Sequence, residues 1–395
     1  MKKFFYENGA LSGWRITFLT LLLLWCASLF FKNAVYQISF AALNLFFLAH
    51  LLYFKNYEIL SEILKKTRFI AICFIFVVAT LAISNLLNEA VISKKAWQST
   101  LFFVLRYGTI FLALCYFYKL KFFDQNAVFA FLFVGLGILS ASVIYQFVSS
   151  PDAIVFSNNS TRGGLSGALS NRNILGLFMG FGLCLSAVAI RRPLALKFAT
   201  LFLFAFFMIF SFSRAAWVGA FCALVFYSAL NLKSLNKKYL LFTVGFIALF
   251  AVLLALSPSF EQRLAALFSG DSSGRTVIWS YILEMAQEKP ILGYGLGSYI
   301  NLPGSPVLEH PEYNAPHNLF LEILLYSGAL GLIFYGAILF SVFKECIQSR
   351  QFGVLTLLIY LLIDCQFDHG AYLSKEALSL ATILSFLAYR ARIER

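Results

Sequence analysis

His317 and Asn318 follow Pro316 at the foot of an apolar run long enough to cross a membrane, and Arg214 and Arg275 precede them in membrane-flanking settings. Neutral imidazole accepts a proton near physiological pH. Guanidinium groups grip phosphate through paired, charge-assisted hydrogen bonds. Gathered on the outer face of a bilayer, these residue types point to chemistry on a lipid-linked phosphate substrate.

Each residue also has a plainer reading. Arg214 follows Ser211-Phe212-Ser213 at a hinge between two apolar runs. An arginine at the bilayer centre costs about 2.5–3.5 kcal/mol, whereas an interfacial one reaches the lipid headgroups along its stem. Arg275 opens an expected loop helix, the wrong end for a cation because the helix N-terminus is already partly positive. An anion bound there by the guanidinium and the free N–H groups reverses the sign; the alternative is a solvated surface arginine. His317 is a candidate general base or an interfacial helix residue, and Asn318 a candidate helix cap. Glu322 is a candidate to orient the histidine or to pair with an arginine. His310, between Glu309 and Glu312, reads as a solvated loop residue, and His50 receives no role. Asp364 and Asp368 are one helical turn apart with His369 beside them, a spacing open to a metal; we read the cluster as a solvated loop end and assign no metal.

These side chains need elements to hold them, and composition sets the class of element. Of the 395 residues 61% are hydrophobic and 12% charged, about half the charge of a soluble domain. Apolar runs of roughly 20 residues, the length that crosses the hydrocarbon core as a helix, recur along the chain. The expected fold is an all-α polytopic membrane protein, one membrane domain over 1–395, with about twelve spans. They lie near 14–31, 34–54, 68–87, 97–118, 125–148, 173–190, 194–212, 214–230, 238–256, 317–343, 351–367 and 373–390. The pair 194–212 and 214–230 also fits a re-entrant hairpin. Short alternating segments of the β-barrel kind are absent.

Basic residues gather in alternate connections: Lys2 and Lys3; Lys55 to Arg68; Lys119 and Lys121; Arg191 to Lys197; Lys233 to Lys238; Lys344 and Arg350; Arg390 to Arg395. The positive-inside rule puts these, and both termini, in the cytoplasm. Most acids fall on the opposite face, so the net charge of +13 is a topology signal and not a nucleic-acid footprint. Two outer connections are long, 149–172 and 257–316. The second is the large loop expected to build the site, because Trp279, Ile282, Leu283 and Ile291 need burial. Within it, 275–287 reads as a short amphipathic helix with an apolar stripe at Trp279, Ile282, Leu283 and Ala286. Asp271, Ser272 and Ser273 are candidate caps, and Pro290 ends the helix. Gly293-Tyr294-Gly295-Leu296-Gly297 reads as a flexible turn; no βαβ unit surrounds it, so it is not a dinucleotide fingerprint.

Other classes lose ground on the same residues. The first apolar run lacks a clear cleavage site and reads as a retained span. The seven cysteines are odd in number, irregularly spaced and set in apolar runs, which implies neither a disulfide framework nor a zinc site. There is no P-loop, no His-Glu-x-x-His and no Gly-x-Ser-x-Gly. Mid-span acids and paired half-repeats, expected of a flippase or solute carrier, are not evident.

The strings Ser213-Arg214-Ala215-Ala216-Trp217, Ser273-Gly274-Arg275 with Trp279, Gly293 to Gly297, and Pro316-His317-Asn318-Leu319-Phe320-Leu321-Glu322 occur in that order. With Asn171-Arg172-Asn173 ahead of a glycine-containing span, the chain resembles the O-antigen ligase and O-antigen polymerase superfamily, most nearly its ligases. The resemblance implies a GT-C-like membrane glycosyltransferase of the bacterial inner membrane, with its site on the periplasmic face and no cofactor. It implies a glycan donor on undecaprenyl pyrophosphate and a lipid A–core acceptor, among membrane lipids. By the same resemblance Arg214 and Arg275, and Arg172 with them, fall at pyrophosphate-binding arginines, and His317 at the base that activates the acceptor hydroxyl. Asn318 and Glu322 take supporting places. A polymerase or a protein O-oligosaccharyltransferase shares the layout.

Overall fold

The computed structural model describes residues 6–7, 10–11, 13–31, 33–150, 164–169, 171–230, 248, 252, 258–269, 273–368 and 370–395. The expected span at 238–256 falls almost wholly outside them, as do Asp271, Ser272, His369 and most of the 149–172 connection. Apart from a two-residue strand pair, Tyr6–Glu7 with Ala10–Leu11, the described chain is helical.

The first half comprises α1 (Gly13–Ser28), α2 (Asn33–Phe54), α3 (Tyr57–Lys66), α4 (Arg68–Leu87), α5 (Ala96–Phe103), a π-helical turn (Val104–Thr109), α6 (Ile110–Lys119) and α7 (Gln125–Ser149). The second half comprises α8 (Arg172–Ala189), α9 (Leu194–Phe210), α10 (Arg214–Leu230), α11 (Pro258–Phe268), α12 (Arg275–Glu288), α13 (Leu319–Gln348), α14 (Phe352–Asp364) and α15 (Lys375–Glu394). Among the described residues six helical stretches are long and apolar enough to cross a membrane: Ala34–Phe54, Arg68–Leu87, Ala96–Lys119, Gln125–Ser149, Arg172–Ala189 and Leu319–Gln348. Four more, Gly13–Ser28, Leu194–Phe210, Arg214–Leu230 and Phe352–Asp364, are apolar but shorter. Leu45, Ile75, Leu86 and Phe340 remain exposed on them, the pattern of helices that bury one stripe and leave another to an apolar solvent.

The helices that carry the site pack on one another. α8 packs against α9, α10 and α14, and α10 also packs against α14. Small residues let them approach: a Cβ at Gly180 of α8 would lie 2.3 Å from the Tyr360 hydroxyl of α14. That hydroxyl donates to the Leu177 carbonyl at 2.8 Å. On the other side α13 packs against α4 and α12, and α15 against α6.

α13 is broken at Gly328, whose backbone (φ 63°, ψ −165°) is open only to glycine. A break frees carbonyls and amides that a buried helix must satisfy. The chain after α12 satisfies them. Tyr294 and Gly295 donate backbone N–H to the Leu325 and Tyr326 carbonyls at 2.8 and 3.0 Å. Ala329 and Leu330 donate to the Pro290 and Ile291 carbonyls at 2.8 and 3.3 Å. The stretch 293–297 is therefore an anchored brace and not the flexible turn expected of its glycines. The Asn85 side chain accepts the Leu296 amide at 2.8 Å and Asn88 donates to the Gly293 carbonyl at 3.2 Å, fixing the brace to α4. Lys289 also bonds to Asn88. Burial, and next the Glu288 carboxylate that accepts its hydroxyl at 2.5 Å, hold the Tyr294 phenol above its usual range.

Candidate active site

In the second half of the chain three helices begin with arginine: α8 with Arg172, α10 with Arg214 and α12 with Arg275. Each arises where a polar break in an apolar pattern lets a helix begin. Asn171 caps α8 by accepting the Asn173 amide at 2.8 Å. Phe212 turns the chain between α9 and α10 with φ 55°. Gly274, at φ 79°, is the residue before α12. Ser273 does not cap that helix; its hydroxyl instead accepts from Arg214 Nη2 at 2.7 Å, while Arg214 Nη1 donates to the Ala266 carbonyl at 2.9 Å. Arg214 is thereby buried and tied to the residues that lead into Arg275.

A fourth helix start supplies the histidine. His317 precedes α13 with φ 51°, and Asn318 is the cap, its side-chain oxygen accepting the Phe320 and Leu321 amides at 2.9 and 3.0 Å. Trp279 of α12 donates to the Pro316 carbonyl at 3.2 Å, so the helix of Arg275 also holds the approach to His317.

These elements meet at the turn that follows α14. Carbonyls in a partly buried turn need donors from elsewhere in the fold. Here the Cys365 carbonyl accepts the Leu319 amide at 2.8 Å and the Gln366 carbonyl accepts Asn318 Nδ2 at 2.9 Å. The Phe367 carbonyl accepts Arg275 Nε at 2.5 Å, and the Asp368 carbonyl lies 3.4 Å from His317 Nδ1. Four successive carbonyls thus template the histidine, its cap and an arginine.

The Asp368 side chain completes the convergence. Its Oδ1 accepts Asn173 Nδ2 at 2.9 Å and Arg275 Nη2 at 3.3 Å, and lies 3.6 Å from His317 Nδ1. Asp368 and Arg214 both lie within electrostatic reach of Arg172. The Asp368 side chain is 5% exposed and Asp364 is fully buried. This corrects the expectation of a solvated loop end: the helix-end turn folds inward because donors from three other helices occupy it. Among the described residues no cluster has the composition of a metal site.

Glu322 stands a turn deeper. Its Oε1 accepts the Tyr372 amide at 2.9 Å, and a Cβ at Gly370 would lie 1.4 Å from its Oε2. It therefore binds the backbone of the segment that follows Asp368, rather than the imidazole or an arginine. In α12 the buried stripe is Ile278, Ile282 and Ala286. Trp279 is half-buried, whereas Leu283 and Ile291 are exposed, against the expectation that both are covered. His310 stays on the surface with its Nδ1 3.2 Å from Glu312.

Arg172, Arg214 and Arg275 each stand at a helix N-terminal end, where guanidinium and free N–H groups together favour an anion, with Asp368, Asp364 and Glu322 as the nearby carboxylates. His317 Nδ1 faces an acceptor carbonyl and a carboxylate. A proton on Nδ1 leaves Nε2 as the basic nitrogen. The sequence reading names Asp368 only within a solvated acidic cluster and Asn173 only within the Asn171-Arg172-Asn173 string, and misses their bond because 195 residues separate them. The available signals are the Asn-Arg-Asn triplet at the start of α8 and the one-turn spacing of Asp364 and Asp368.

A family model described as O-antigen ligase matches residues 199–336, which include Arg214, Arg275, His317, Asn318 and Glu322. The chain is 34% identical over 159 residues to an O-antigen ligase of Salmonella typhimurium, covering 35% of this chain and 37% of that protein. It is 33% identical over 92 residues to a putative polysaccharide ligase of Rickettsia conorii, covering 21% and 22%. A putative polysaccharide ligase of Rickettsia felis is 34% identical over 88 residues, covering 20% and 22%. The chain thus spans between about a fifth and somewhat over a third of the length of these curated relatives. In the region that carries Arg214, Arg275 and His317, this chain resembles the O-antigen ligases.

Proposed function

We propose that the chain is a glycosyltransferase that moves an O-antigen-type glycan from undecaprenyl pyrophosphate to a sugar hydroxyl of lipid A–core. In this reading it sits in the bacterial inner membrane, both termini cytoplasmic, with Arg172, Arg214, Arg275 and His317 facing the periplasm. The observation that carries it is the meeting of Arg275 and His317 on Asp368, with Arg172 within electrostatic reach of that carboxylate and Arg214 tied to Ser273, two residues before Arg275.

The arginines grip the pyrophosphate of the donor. Developing negative charge on that leaving group needs neutralisation more than protonation, and preorganised guanidiniums supply it without a metal. The acceptor hydroxyl attacks the anomeric carbon as its proton passes to His317 Nε2. The bond from that carbon to the phosphate oxygen breaks, and undecaprenyl pyrophosphate leaves as the anion. One direct displacement inverts the anomeric configuration. Asp368 faces the Nδ1 side and stabilises the imidazolium, the part a carboxylate plays beside a catalytic histidine.

The test is purified protein with a lipid-linked glycan and three acceptors: lipid A–core, a second lipid-linked glycan, and a Ser/Thr-containing peptide. Transfer to the core supports this reading. Transfer to the lipid-linked glycan alone makes the protein a polymerase, and to the peptide alone a protein O-oligosaccharyltransferase. Movement of the donor across the bilayer with no transfer makes it a flippase.

A further inference from the structure

A second cationic cluster lies on the α1–α2–α5 side of the bundle, while Asp368 faces α8, α12 and α13. Arg106 sits in the π turn that interrupts the Ala96–Lys119 helix, and is 8% exposed. Its guanidinium carbon stands 5.0, 5.4 and 5.8 Å from the ring centroids of Phe102, Tyr36 and Phe40. Its Nε is buried and makes no hydrogen bond among the described residues. Lys375, the first residue of α15, approaches the same Tyr36 ring at 5.4 Å and donates to the Phe31 carbonyl at 3.0 Å. The adjacent carboxylate, Glu376, is 3.6 Å from Lys375. Lys375 thus has one carboxylate beside it, while the Arg106 guanidinium is surrounded by aromatic rings. Ionisable groups at such depth mark binding or transport sites, and π turns recur at functional sites.

The cluster lies beside the seam between α2 and α5. α2 packs on α1, α6 and the π turn, while α5 packs on α4 and the π turn. α2 and α5 meet at Phe40 and Phe102, centroids 6.3 Å apart, beside the guanidinium. Toward the end of the bundle that carries Lys375, Val35 and Ile38 on α2 and Trp97 and Leu101 on α5 are exposed. These are apolar walls for acyl chains, with cations at their base.

We infer that Arg106 and Lys375 hold the phosphate of a lipid headgroup that enters from the bilayer between α2 and α5. The guanidinium supplies the fork for phosphate oxygens and the ammonium a second charge. The inference stands apart from the proposed transfer reaction.

The full-length protein, stripped of lipid in detergent, is titrated with dioleoyl phosphatidic acid, dioleoylglycerol and inorganic phosphate, with bound lipid counted by native mass spectrometry. Phosphatidic acid should bind about tenfold more weakly to Arg106→Gln and to Lys375→Gln, and Arg106→Lys should fall between. Dioleoylglycerol should not be retained. If Arg106→Gln fails to fold, Lys375→Gln alone decides. Unchanged affinity in the foldable variants, or equal retention of dioleoylglycerol, overturns the inference. Displacement by inorganic phosphate at equal concentration overturns the lipid as its source. The Arg106 effect should persist in an Arg275→Ala background; its disappearance there would place the lipid at the Asp368 site and overturn the inference.

Discussion

His317 Nδ1 and Asp368 Oδ1 lie 3.6 Å apart, with the Asp368 carbonyl 3.4 Å from the same nitrogen. The aspartate thus presents both a charge and a main-chain acceptor to one side of the ring and leaves the other nitrogen for chemistry. If that nitrogen is the base, His317→Ala should cut transfer by about 10²–10⁴-fold while lipid-linked donor still binds. Asp368→Asn, which keeps the carbonyl but removes the charge, should lose at least about tenfold and less than His317→Ala. Steady-state transfer and separate donor-binding measurements check both. Normal transfer by His317→Ala would end the general-base reading.

The arginines act, in this account, through planar forks. Arg214→Ala and Arg275→Ala should abolish or severely reduce transfer while the protein still accumulates in the membrane. Lysine at either place should restore little, because an ammonium cannot engage two phosphate oxygens in one plane. Full activity in both lysine variants would refute bidentate clamping.

The brace on the broken helix predicts a stability effect away from the charges. A Cβ at Gly328 would lie 2.3 Å from the Ile291 carbonyl oxygen, on a backbone with φ 63°. Gly328→Ala should cost more than the 1–3 kcal/mol typical of such strain alone, roughly, because backbone must also move. A lower unfolding temperature in detergent and weaker transfer should appear together, since the brace joins the helices of Arg275 and His317. Gly336→Ala, with nothing within 4 Å of its Cβ, is the matched control and should change neither.

Transfer should survive excess EDTA, because guanidiniums carry the leaving-group charge in the proposed mechanism. Loss on chelation, restored by a divalent cation, would shift the chemistry to metal-assisted catalysis.

Orientation is tested by single cysteines in a cysteine-free background. Asn314→Cys, exposed just ahead of His317, should be labelled by an impermeant maleimide from the periplasm. Lys65→Cys, exposed on α3, should be labelled only once the inner face is opened. The reverse pattern would move the site to the cytoplasm.

The sequence by itself determines the class of fold and the residues that look out of place. Span length follows from apolar run length against hydrocarbon thickness, a local property: among the described residues six of the twelve expected stretches are helices long and apolar enough to span, and five more are shorter or more polar helices. Arg214, Arg275 and His317 stand out because cations and imidazole are costly beside apolar runs. What only the tertiary structure decides is who answers them. Asp368 is 51 residues from His317, 93 from Arg275 and 195 from Asn173, so no window of sequence contains the site. Ser273 looks like a helix cap until the packing of α10 brings Arg214 to its hydroxyl. Glycines 293 to 297 look like slack until the break at Gly328 presents carbonyls for their neighbours' amides. In each case the partner is chosen by unsatisfied backbone and buried charge, and burial is settled only when the helices have packed.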